Sequence, residues 1–456
     1  MSDAQREVLA EFEQLWAEHP EIRQVDALLV DLCGVTRGKR YPIEDAPKLW
    51  TQGLPIPYSV HFLDATGDCL DPLGRGISDG DPDGLCFPVS GSLALVGWSD
   101  TPRARVLMSM AEDDRQGRGE ADPRNLAARV LARLQAAGLH PVTAFELEFY
   151  LLDPELGAHG RPRRALAPGS GRRESLMQVY GIEELDGFES FFRALDEECR
   201  RQGVPASVVT SEFAPGQYEV NLRHVAEPLV AADHAVLLRY VVRNVARREG
   251  LLASFMPKPY IDSAGNGMHI HMSVLDEQGR NIFDDGSARG GERLRQAIAG
   301  LLSLLPDSMA IFAPDANAFR RIGPGMYAPL SRSWAADNRS VAVRIPSGPG
   351  SARRFEHRVA AANANPYLVL AALLAGIHHG LGEQLDPGPE ALGNSGADPD
   401  PEVPRKWSRA LRRMAGSRVL ADYFSADYVA LYCAAKRAEL EKFEHQITPR
   451  EYQWYL

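Results

Sequence analysis

Two short segments of the chain carry carboxylates and imidazoles where a core strand would be apolar. In the run AFELEFY, period-two alternation puts Glu146 and Glu148 on one face of a strand and apolar side chains on the other. His269 and His271, in MHIHM, share a strand face in the same way. Carboxylates that are buried side by side repel one another, so they imply a cation between them. Oxygen ligands with one or two imidazoles suit Mg²⁺ or Mn²⁺ better than zinc.

Three more glutamates extend this set of candidate ligands. Glu212 and Glu219 flank the loop FAPGQY, and Glu356 stands among arginines further along the chain. Each motif alone is weak evidence for a metal site. An E-x-E pattern is often a solvated strand face, and an H-x-H pattern is often a pair of core histidines. All of them together, in one chain, predict a centre for divalent cations.

The segment from Arg320 to Arg358 mixes arginine with Gly, Pro and apolar residues, whereas a solvated surface would mix Lys with Glu. A guanidinium binds carboxylate or phosphate through two parallel hydrogen bonds. The segment is therefore predicted to form an anion-binding wall. The run GVTRGKR, from Gly34 to Arg40, has the wrong length and ending for a phosphate-binding P-loop. A nucleotide would have to be held by the Glu, His and Arg residues.

The bulk composition narrows the class of protein. With 456 residues, 45% hydrophobic and 24% charged, the chain predicts two domains of ordinary soluble composition. A net charge of −11 argues against nucleic acid as a partner. Five cysteines without C-x-x-C spacing favour a reducing, cytoplasmic location. The acidic N-terminus is unlike a signal peptide, and the longest apolar run, near Leu368–Ile377, is too short to span a membrane.

Periodicity and caps predict the elements that position these groups. Residues 4–17 predict a surface helix. Asp122 and Asn365, each followed by Pro, predict two helix starts with an N-cap and Pro at the first position. Strands and helices alternate irregularly elsewhere, and the polar stretch Ala111–Glu120 is the expected domain boundary. The predicted fold class is α+β, with a small N-terminal domain and a large second domain.

The order of the motifs resembles that of the glutamine synthetase family. The shared pattern in residues 317–367 is N-x-x-[KR]-R, P-G, A-P, W, N-R-S, R-I-P, E-x-R and N-P-Y. The resemblance implies a β-grasp-like domain over residues 1–115. It implies a catalytic domain over residues 116–456, with a curved antiparallel sheet or partial barrel and flanking helices. It also implies a homo-oligomer, a hexameric ring or a dodecamer, with active sites between neighbouring subunits.

The resemblance further implies a role for each candidate residue. The substrates would be ATP and L-glutamate, and the cofactors two or three Mg²⁺ or Mn²⁺ ions. The ion near glutamate would be held by Glu148, Glu212 and Glu219, and the ion at the ATP phosphates by Glu146, His269 and Glu356. The nucleotide site would include His271, Ser273, Arg339 and Arg354. Glutamate would be bound by Arg321, Arg358 and Gly265, and the transferring phosphoryl group by Arg339 and Arg344.

The chain departs from ammonia-using glutamine synthetases at the acceptor site. Tyr327 stands where those enzymes keep a Glu before Ala-Pro, and Asp64 lies in a loop that replaces their Asp-Gly-Ser-Ser. The segments DLCGVTRGKR and EYQWY resemble those of γ-glutamylpolyamine synthetases. The predicted reaction is ATP-dependent ligation of the glutamate γ-carboxylate to a polyamine or monoamine through γ-glutamyl phosphate. Asp64 and Tyr327 would lie near the amine, and the pathway would be polyamine or amine catabolism.

Besides an unrelated enzyme that activates a carboxylate with ATP, two alternative functions stay open. One is an ammonia-using glutamine synthetase, against which the missing Glu argues. The other is a non-catalytic structural or regulatory homologue, but such proteins usually lose metal ligands, and all six positions are filled here. The identity of the amine is also open. A diamine would need a distal carboxylate such as Asp64 or Asp68, and a hydrophobic monoamine would need walls such as Phe62, Met326 and Tyr327.

Overall fold

The computed structural model describes residues 3–111, 119–287, 289–323 and 328–456. Its α-helices in these ranges are α1 (Asp3–Glu18), α2 (Pro47–Thr51), α3 (Pro123–Ala136), α4 (Ile182–Asp186), α5 (Glu189–Arg201), α6 (Pro228–Arg248), α7 (Glu292–Phe312), α8 (Ala318–Arg321), α9 (Pro366–Gly382), α10 (Trp407–Ala415), α11 (Arg418–Phe424), α12 (Ala426–Glu444) and α13 (Pro449–Tyr455). Its β-strands are β1 (Gln24–Val30), β2 (Thr36–Pro42), β3 (Leu54–Pro57), β4 (Asp83–Pro88), β5 (Ala94–Val96), β6 (Arg103–Met110), β7 (His140–Leu152), β8 (Leu166–Ala167), β9 (Arg172–Arg173), β10 (Ala206–Ser211), β11 (Gln217–Leu222), β12 (Leu252–Ser254), β13 (Met268–Leu275), β14 (Trp334–Ala336), β15 (Val343–Ile345) and β16 (Phe355–His357).

The N-terminal part of the chain forms a mixed sheet in the order β2-β1-β6-β4-β3, with β5 paired to β6. Strands β1 and β6 run parallel, and the other neighbours run antiparallel. The apolar residues Val25, Ala27 and Leu29 of β1 are almost fully buried, because the hydrophobic effect favours removing them from water. A parallel central pair flanked by antiparallel strands is the arrangement expected of a β-grasp-like unit.

The larger sheet has the order β10-β11-β7-β13-β16-β15-β14, with β12 also paired to β7. The pairs from β10 to β15 are antiparallel, and β14 and β15 are parallel. Strand β7 is 13 residues long and lies at the centre of the candidate site described below. This mixed architecture of helices and a curled sheet confirms the predicted α+β fold class.

The helices α7 and α9 pack closely because glycines face each other across the contact. A side chain at Gly300 would place its Cβ 2.0 Å from the Gly376 carbonyl oxygen and 2.6 Å from the Gly380 nitrogen. Real Cβ atoms do not approach other atoms so closely, so the two backbones can meet only without side chains there. Helix α7 of this pair also contacts β15 of the large sheet.

The predicted helix starts are confirmed. The Asp122 carboxylate accepts a hydrogen bond from the Arg124 nitrogen at the start of α3, and the Asn365 side chain accepts one from the Tyr367 nitrogen at the start of α9. Each cap satisfies a backbone donor that the first helical turn would otherwise leave unpaired. The predicted surface helix over residues 4–17 corresponds to α1.

The expected domain boundary lies at residues 115 and 116, outside the described ranges, so this division stays a prediction. Within the described ranges, no helix combines the length and the apolar composition needed to cross a membrane.

Candidate active site

The register of four neighbouring strands places acidic and imidazole side chains next to one another. Glu219 of β11 lies opposite Glu148 of β7, and Glu146 of β7 lies opposite His269 of β13. His271 of β13 in turn lies opposite Glu356 of β16. Directly opposed residues in an antiparallel pair have Cβ atoms about 5 Å apart. The sheet therefore carries one continuous stripe of ionisable groups across the four strands.

The opposite face of the same strands anchors this stripe. Phe145, Leu147 and Phe149 alternate with the two glutamates of β7, and each has 0% of its surface exposed. Met268 and Ile270 alternate with the histidines of β13 and are equally buried. Because a slip of one residue would move these apolar side chains to the polar face, their burial fixes the register of the ligating groups.

His269 lies at the centre of the stripe. Its Nδ1 is 3.4 Å from Glu146 Oε2, 3.7 Å from Glu219 Oε2 and 3.8 Å from Glu356 Oε1. Its Nε2 is 3.9 Å from Glu148 Oε1. Four carboxylates therefore surround one imidazole that is only 6% exposed.

The donor set fits divalent cations. Ligand atoms of Glu146, His269 and Glu356 lie within 4.8 Å of one another, and so do those of Glu148, Glu219 and His269. Both sets are rich in carboxylate oxygen, the ligand that Mg²⁺ and Mn²⁺ prefer. The first set is the one that the sequence predicts for the ion at the ATP phosphates. The second set contains His269 where the sequence-based prediction has Glu212. Within the described residues, Glu212 belongs to neither set.

The crowding of negative charge changes the protonation of two glutamates. Burial, followed by the charges of Glu146 and Glu148, raises the pKa of Glu219 well above its ordinary value. Burial and the charge of Glu148 raise the pKa of Glu212 to about 8, although Arg339 acts in the opposite direction. Carboxyl groups whose protonated form is favoured in this way can exchange the proton for a divalent cation.

Glu356 is held in its ionised form by two arginines. Arg344 Nη1 donates to Glu356 Oε2 at 2.8 Å, and Arg358 Nη1 donates to Glu356 Oε1. Although burial acts to raise the pKa of Glu356, the charge of Arg358 lowers it to about 2. Arg344 also contacts Asp337 Oδ1 at 3.3 Å. The candidate phosphoryl-binding and glutamate-binding arginines therefore converge on a candidate metal ligand.

His271 connects the stripe to the arginine-rich segment. Arg354 Nε donates to His271 Nδ1 at 3.1 Å, so Nδ1 is the acceptor and the proton of the neutral ring is on Nε2. That Nε2 is 2.9 Å from Glu146 Oε1, to which it donates. Ser273 follows two residues later on the same strand, on the face that carries both histidines. The structure thus brings three of the four predicted nucleotide-binding residues to one edge of the stripe.

Arg321 and Gly265 form a close contact beside the stripe. Arg321 is 5% exposed, and its Nη1 donates to the Val359 carbonyl at 2.8 Å. A Cβ at Gly265 would lie 2.8 Å from Arg321 Cγ, and a Cβ at Gly267 would lie 2.6 Å from Arg321 Nη2. The two glycines therefore allow the Arg321 side chain to lie flat along the backbone. Arg358, the second predicted glutamate-binding arginine, is adjacent, because its carbonyl lies 3.5 Å from Arg321 Nη2.

Sequence reasoning missed two polar residues under this contact. The Gln217 amide nitrogen lies 3.0 Å from Asn266 Oδ1, 3.1 Å from the Gly265 carbonyl and 3.4 Å from Glu148 Oε2. Asn266 is fully buried and also donates to the Met256 carbonyl at 2.9 Å. Gln217 was detectable as a polar residue two positions before Glu219, because alternation places the two on the same face of β11.

The remaining predicted residues lie at the edge of the site or away from it. Arg339 is exposed, and its charge reaches Glu212. Tyr327 lies outside the described residues. Asp64 lines a separate cavity of about 630 Å³ beside Lys442, and none of the predicted metal ligands lines that cavity. Within one chain, the structure therefore does not bring Asp64 to the stripe.

Comparisons with known proteins agree with this geometry. The model of the glutamine synthetase catalytic domain matches residues 120–455. The γ-glutamylputrescine synthetase PuuA of Escherichia coli K12 is 39% identical over 96% of this chain and 92% of the relative. Glutamate–isopropylamine ligase of a Pseudomonas species is 30% identical over 94% of this chain and 93% of the relative. The solved structure of a GmaS–ADP complex matches with a TM-score of 0.84 and 26% identity, covering 97% of this chain and 99% of that one. The chain therefore belongs to the glutamine synthetase family.

Proposed function

We propose that the protein is an ATP-dependent glutamate–amine ligase that joins the γ-carboxylate of L-glutamate to an organic amine. The observation that carries the proposal is the stripe of four carboxylates around His269, bordered by Arg344 and Arg358. Similarity to ligases for putrescine and isopropylamine supports an organic amine as the acceptor. The same similarity supports a proposed place in amine or polyamine catabolism.

The first half of the proposed reaction activates the carboxylate. A γ-carboxylate oxygen attacks the γ-phosphorus of ATP, the bond from that phosphorus to ADP breaks, and γ-glutamyl phosphate forms. Phosphoryl transfer needs positioning and neutralisation of charge more than covalent chemistry. Arg339 and Arg344 stabilise the transferring group, and Arg321 and Arg358 hold glutamate. Divalent cations held by the two triads of ligands, Glu146–His269–Glu356 and Glu148–Glu219–His269, would neutralise further charge on the phosphate oxygens.

The second half of the proposed reaction forms the amide. The amine nitrogen attacks the acyl carbon, inorganic phosphate leaves with the electrons of the C–O bond, and the leaving phosphate takes up the proton that the nitrogen loses as the amide forms. The amine must lose a proton before attack, because an ammonium group has no free electron pair. Tyr327 and the loop of Asp64 are proposed to border the acceptor. We infer that Asp64 reaches the active site of a neighbouring subunit in a ring, since it lies away from the stripe within its own chain.

An acceptor screen tests the proposed function. The purified protein is incubated with glutamate, ATP and Mg²⁺, together with ammonia, putrescine, ethanolamine or isopropylamine. Phosphate release gives the rate, and mass spectrometry identifies the product. We expect a γ-glutamylamide with at least one organic amine, at a higher kcat/KM than with ammonia. Glu148→Gln should abolish the reaction, whereas Glu197→Gln, an exposed glutamate on α5, should leave it unchanged. A preference for ammonia over every amine would assign the chain to glutamine synthesis instead.

A further inference from the structure

A second polar cleft, of about 600 Å³, lies between the small sheet and helix α6. None of the candidate metal ligands lines it. Its basic and aromatic wall consists of Arg40, Trp98, Arg103, Tyr240, Arg247 and Arg248. Ligand sites typically have volumes of about 300–1,000 Å³. The cleft is therefore large enough for a small molecule, and its chemistry differs from that of the active site.

A buried carboxylate fixes two of the four guanidiniums. Asp26 is 4% exposed, and its Oδ1 accepts from Arg40 Nε at 2.5 Å. Its Oδ2 accepts from Arg40 Nη2 at 3.1 Å and from Arg103 Nη1 at 3.2 Å. Arg103 Nη2 also contacts Ser99 Oγ, while Arg103 Nε is buried without a hydrogen-bond partner. Both guanidiniums are thus oriented before any ligand arrives, which reduces the entropy that binding must offset.

The other two guanidiniums come from the last turn of α6. Arg248 Nη1 donates to the Trp98 carbonyl at 2.5 Å and contacts Asp100 Oδ1 at 3.4 Å. The Arg247 side chain is exposed, and its Nη1 donates to Asn244 Oδ1 at 3.3 Å. Throughout the described parts of the chain, no carboxylate oxygen lies within 4 Å of Arg247. This guanidinium is therefore available to an incoming anion.

The charges of the cleft do not balance. Four guanidiniums line it, whereas the carboxylates in contact with them are Asp26, which is buried beneath, and Asp100, whose side chain is 97% exposed. The surplus is two positive charges. Guanidiniums hold carboxylates and phosphates through paired hydrogen bonds, and lysine, which lacks that geometry, does not line the cleft. We propose that this cleft is a binding site for a small dianion, either a phosphoryl compound or a dicarboxylate.

Trp98 and Tyr240 border the cleft, and the fluorescence of Trp98 can report binding. The rings of Trp98 and Tyr240 meet edge to face with centroids 5.2 Å apart. The Trp98 carbonyl is held by Arg248, so an anion that binds Arg248 changes the surroundings of the indole. Binding should therefore alter tryptophan fluorescence, and the change should disappear in Trp98→Phe.

Direct titration tests the dianion site. Inorganic phosphate and succinate are titrated separately into the full-length protein at constant ionic strength, with sodium chloride as the reference. Fluorescence and calorimetry both report binding. We expect saturable binding of at least one probe, with an affinity that falls at least tenfold in Arg247→Met, as the loss of a charge-assisted hydrogen bond predicts. Arg437→Met, which removes an exposed arginine from α12, is the matched control and should bind like the unmodified protein.

The two probes separate the possible sources of the dianion. Tighter binding of phosphate assigns the site to phosphoryl compounds, and tighter binding of succinate assigns it to dicarboxylates. The proposal is wrong if neither probe binds saturably, or if Arg247→Met and Arg437→Met bind equally well. Arg40→Met provides a second variant on the opposite wall, where half of the side chain is exposed, and it should weaken binding in the same direction.

Discussion

Lys442 of α12 donates a hydrogen bond to the Asp64 carboxylate at 2.7 Å, which joins this helix to a loop of the small sheet 378 residues earlier. The same ammonium group contacts Thr66 Oγ1 at 2.8 Å and Asp68 Oδ2 at 3.2 Å. Although burial acts to raise the pKa of Asp64, the hydrogen bonds from Lys442 and from the Asp68 backbone lower it to about 2. The sequence suggests Asp64 as the carboxylate that would bind the distal ammonium group of a diamine. In the structure, Lys442 of the same chain already neutralises this carboxylate.

The first prediction is that Lys442→Met lowers the melting temperature at neutral pH by roughly 1–4 °C. The pKa of folded Asp64 lies below its ordinary value near 3.9, so the ion pair contributes stability above about pH 4. That contribution is lost as the pH falls towards 2, where Asp64 becomes protonated. The difference in melting temperature between the variant and the unmodified protein should therefore shrink on acidification. Lys442→Arg should retain most of the stability, and a difference independent of pH would contradict the role of the ion pair.

The second prediction concerns binding of Mg²⁺ in the absence of substrates. A ligand that binds only the folded state at a hundred times its Kd stabilises that state by about 2.7 kcal/mol. Mg²⁺ should therefore raise the melting temperature, and a chelator should reverse the rise. Glu219→Gln should remove most of the increase, because Glu219 belongs to one of the two triads. The exposed variant Glu197→Gln should keep all of it.

The third prediction separates the two versions of the second triad. The sequence pattern includes Glu212 in it, whereas the structure has His269 in that position. If the structural set is correct, Glu212→Gln should reduce the Mg²⁺-dependent rise in melting temperature less than Glu219→Gln does. Equal losses would favour the set expected from the sequence. Calorimetric titration of Mg²⁺ into both variants gives the same comparison without heating.

The fourth prediction concerns the close contact between Gly267 and Arg321. A Cβ at Gly267 would lie 2.6 Å from Arg321 Nη2 and 3.1 Å from His269 Nε2, so Gly267→Ala must displace one of these side chains. If Arg321 holds glutamate, the KM for glutamate should rise by at least about tenfold, which is about 1.4 kcal/mol. Gly169→Ala is the control, since nothing lies within 4 Å of the added Cβ. An unchanged KM in Gly267→Ala would argue against Arg321 as a glutamate ligand.

Local pattern was enough to predict the polar faces of β7 and β13, because alternation with period two places Glu146 with Glu148 and His269 with His271. Helix N-caps were also predictable from neighbouring residues, as Asp122 and the proline that follows it show. The pairing of strands was not predictable from such signals. Glu356 lies on a strand of only three residues, too short to show any period.

Contacts between distant segments were also beyond the reach of local pattern. The ion pair of Lys442 with Asp64 depends on how α12 packs against the loop between β3 and β4, and nothing near either residue indicates the other. Gln217 and Asn266 gave only weak signals, since a polar residue in a mixed strand or in a glycine-containing loop is common. Their importance became visible once the hydrogen bonds to Glu148 and Gly265 were known.

The last prediction concerns the choice of acceptor. Tyr327 occupies the position where ammonia-using relatives are expected to keep a glutamate, and a phenol with a pKa near 10 is neutral at pH 7. It cannot attract a small cation by charge, but it offers an apolar face and can contact a cation through its ring. Each buried CH₂ of an organic amine could gain about 0.8 kcal/mol, whereas ammonia has no carbon surface. At least one organic amine should therefore exceed ammonia in kcat/KM by about tenfold or more, which is about 1.4 kcal/mol.

Exchange of the phenol for a carboxylate tests this explanation directly. Tyr327→Glu should shift the ratio of kcat/KM towards ammonia, because a carboxylate binds a small cation and removes apolar surface from the acceptor site. Tyr327→Phe keeps the apolar face and should preserve the preference for the organic amine. Glutamate-dependent hydrolysis of ATP in the absence of any amine should stay similar in both variants, since the first half of the reaction does not involve the acceptor. If Tyr327→Glu and Tyr327→Phe altered acceptor preference in the same direction, charge at this position would not determine the choice of amine.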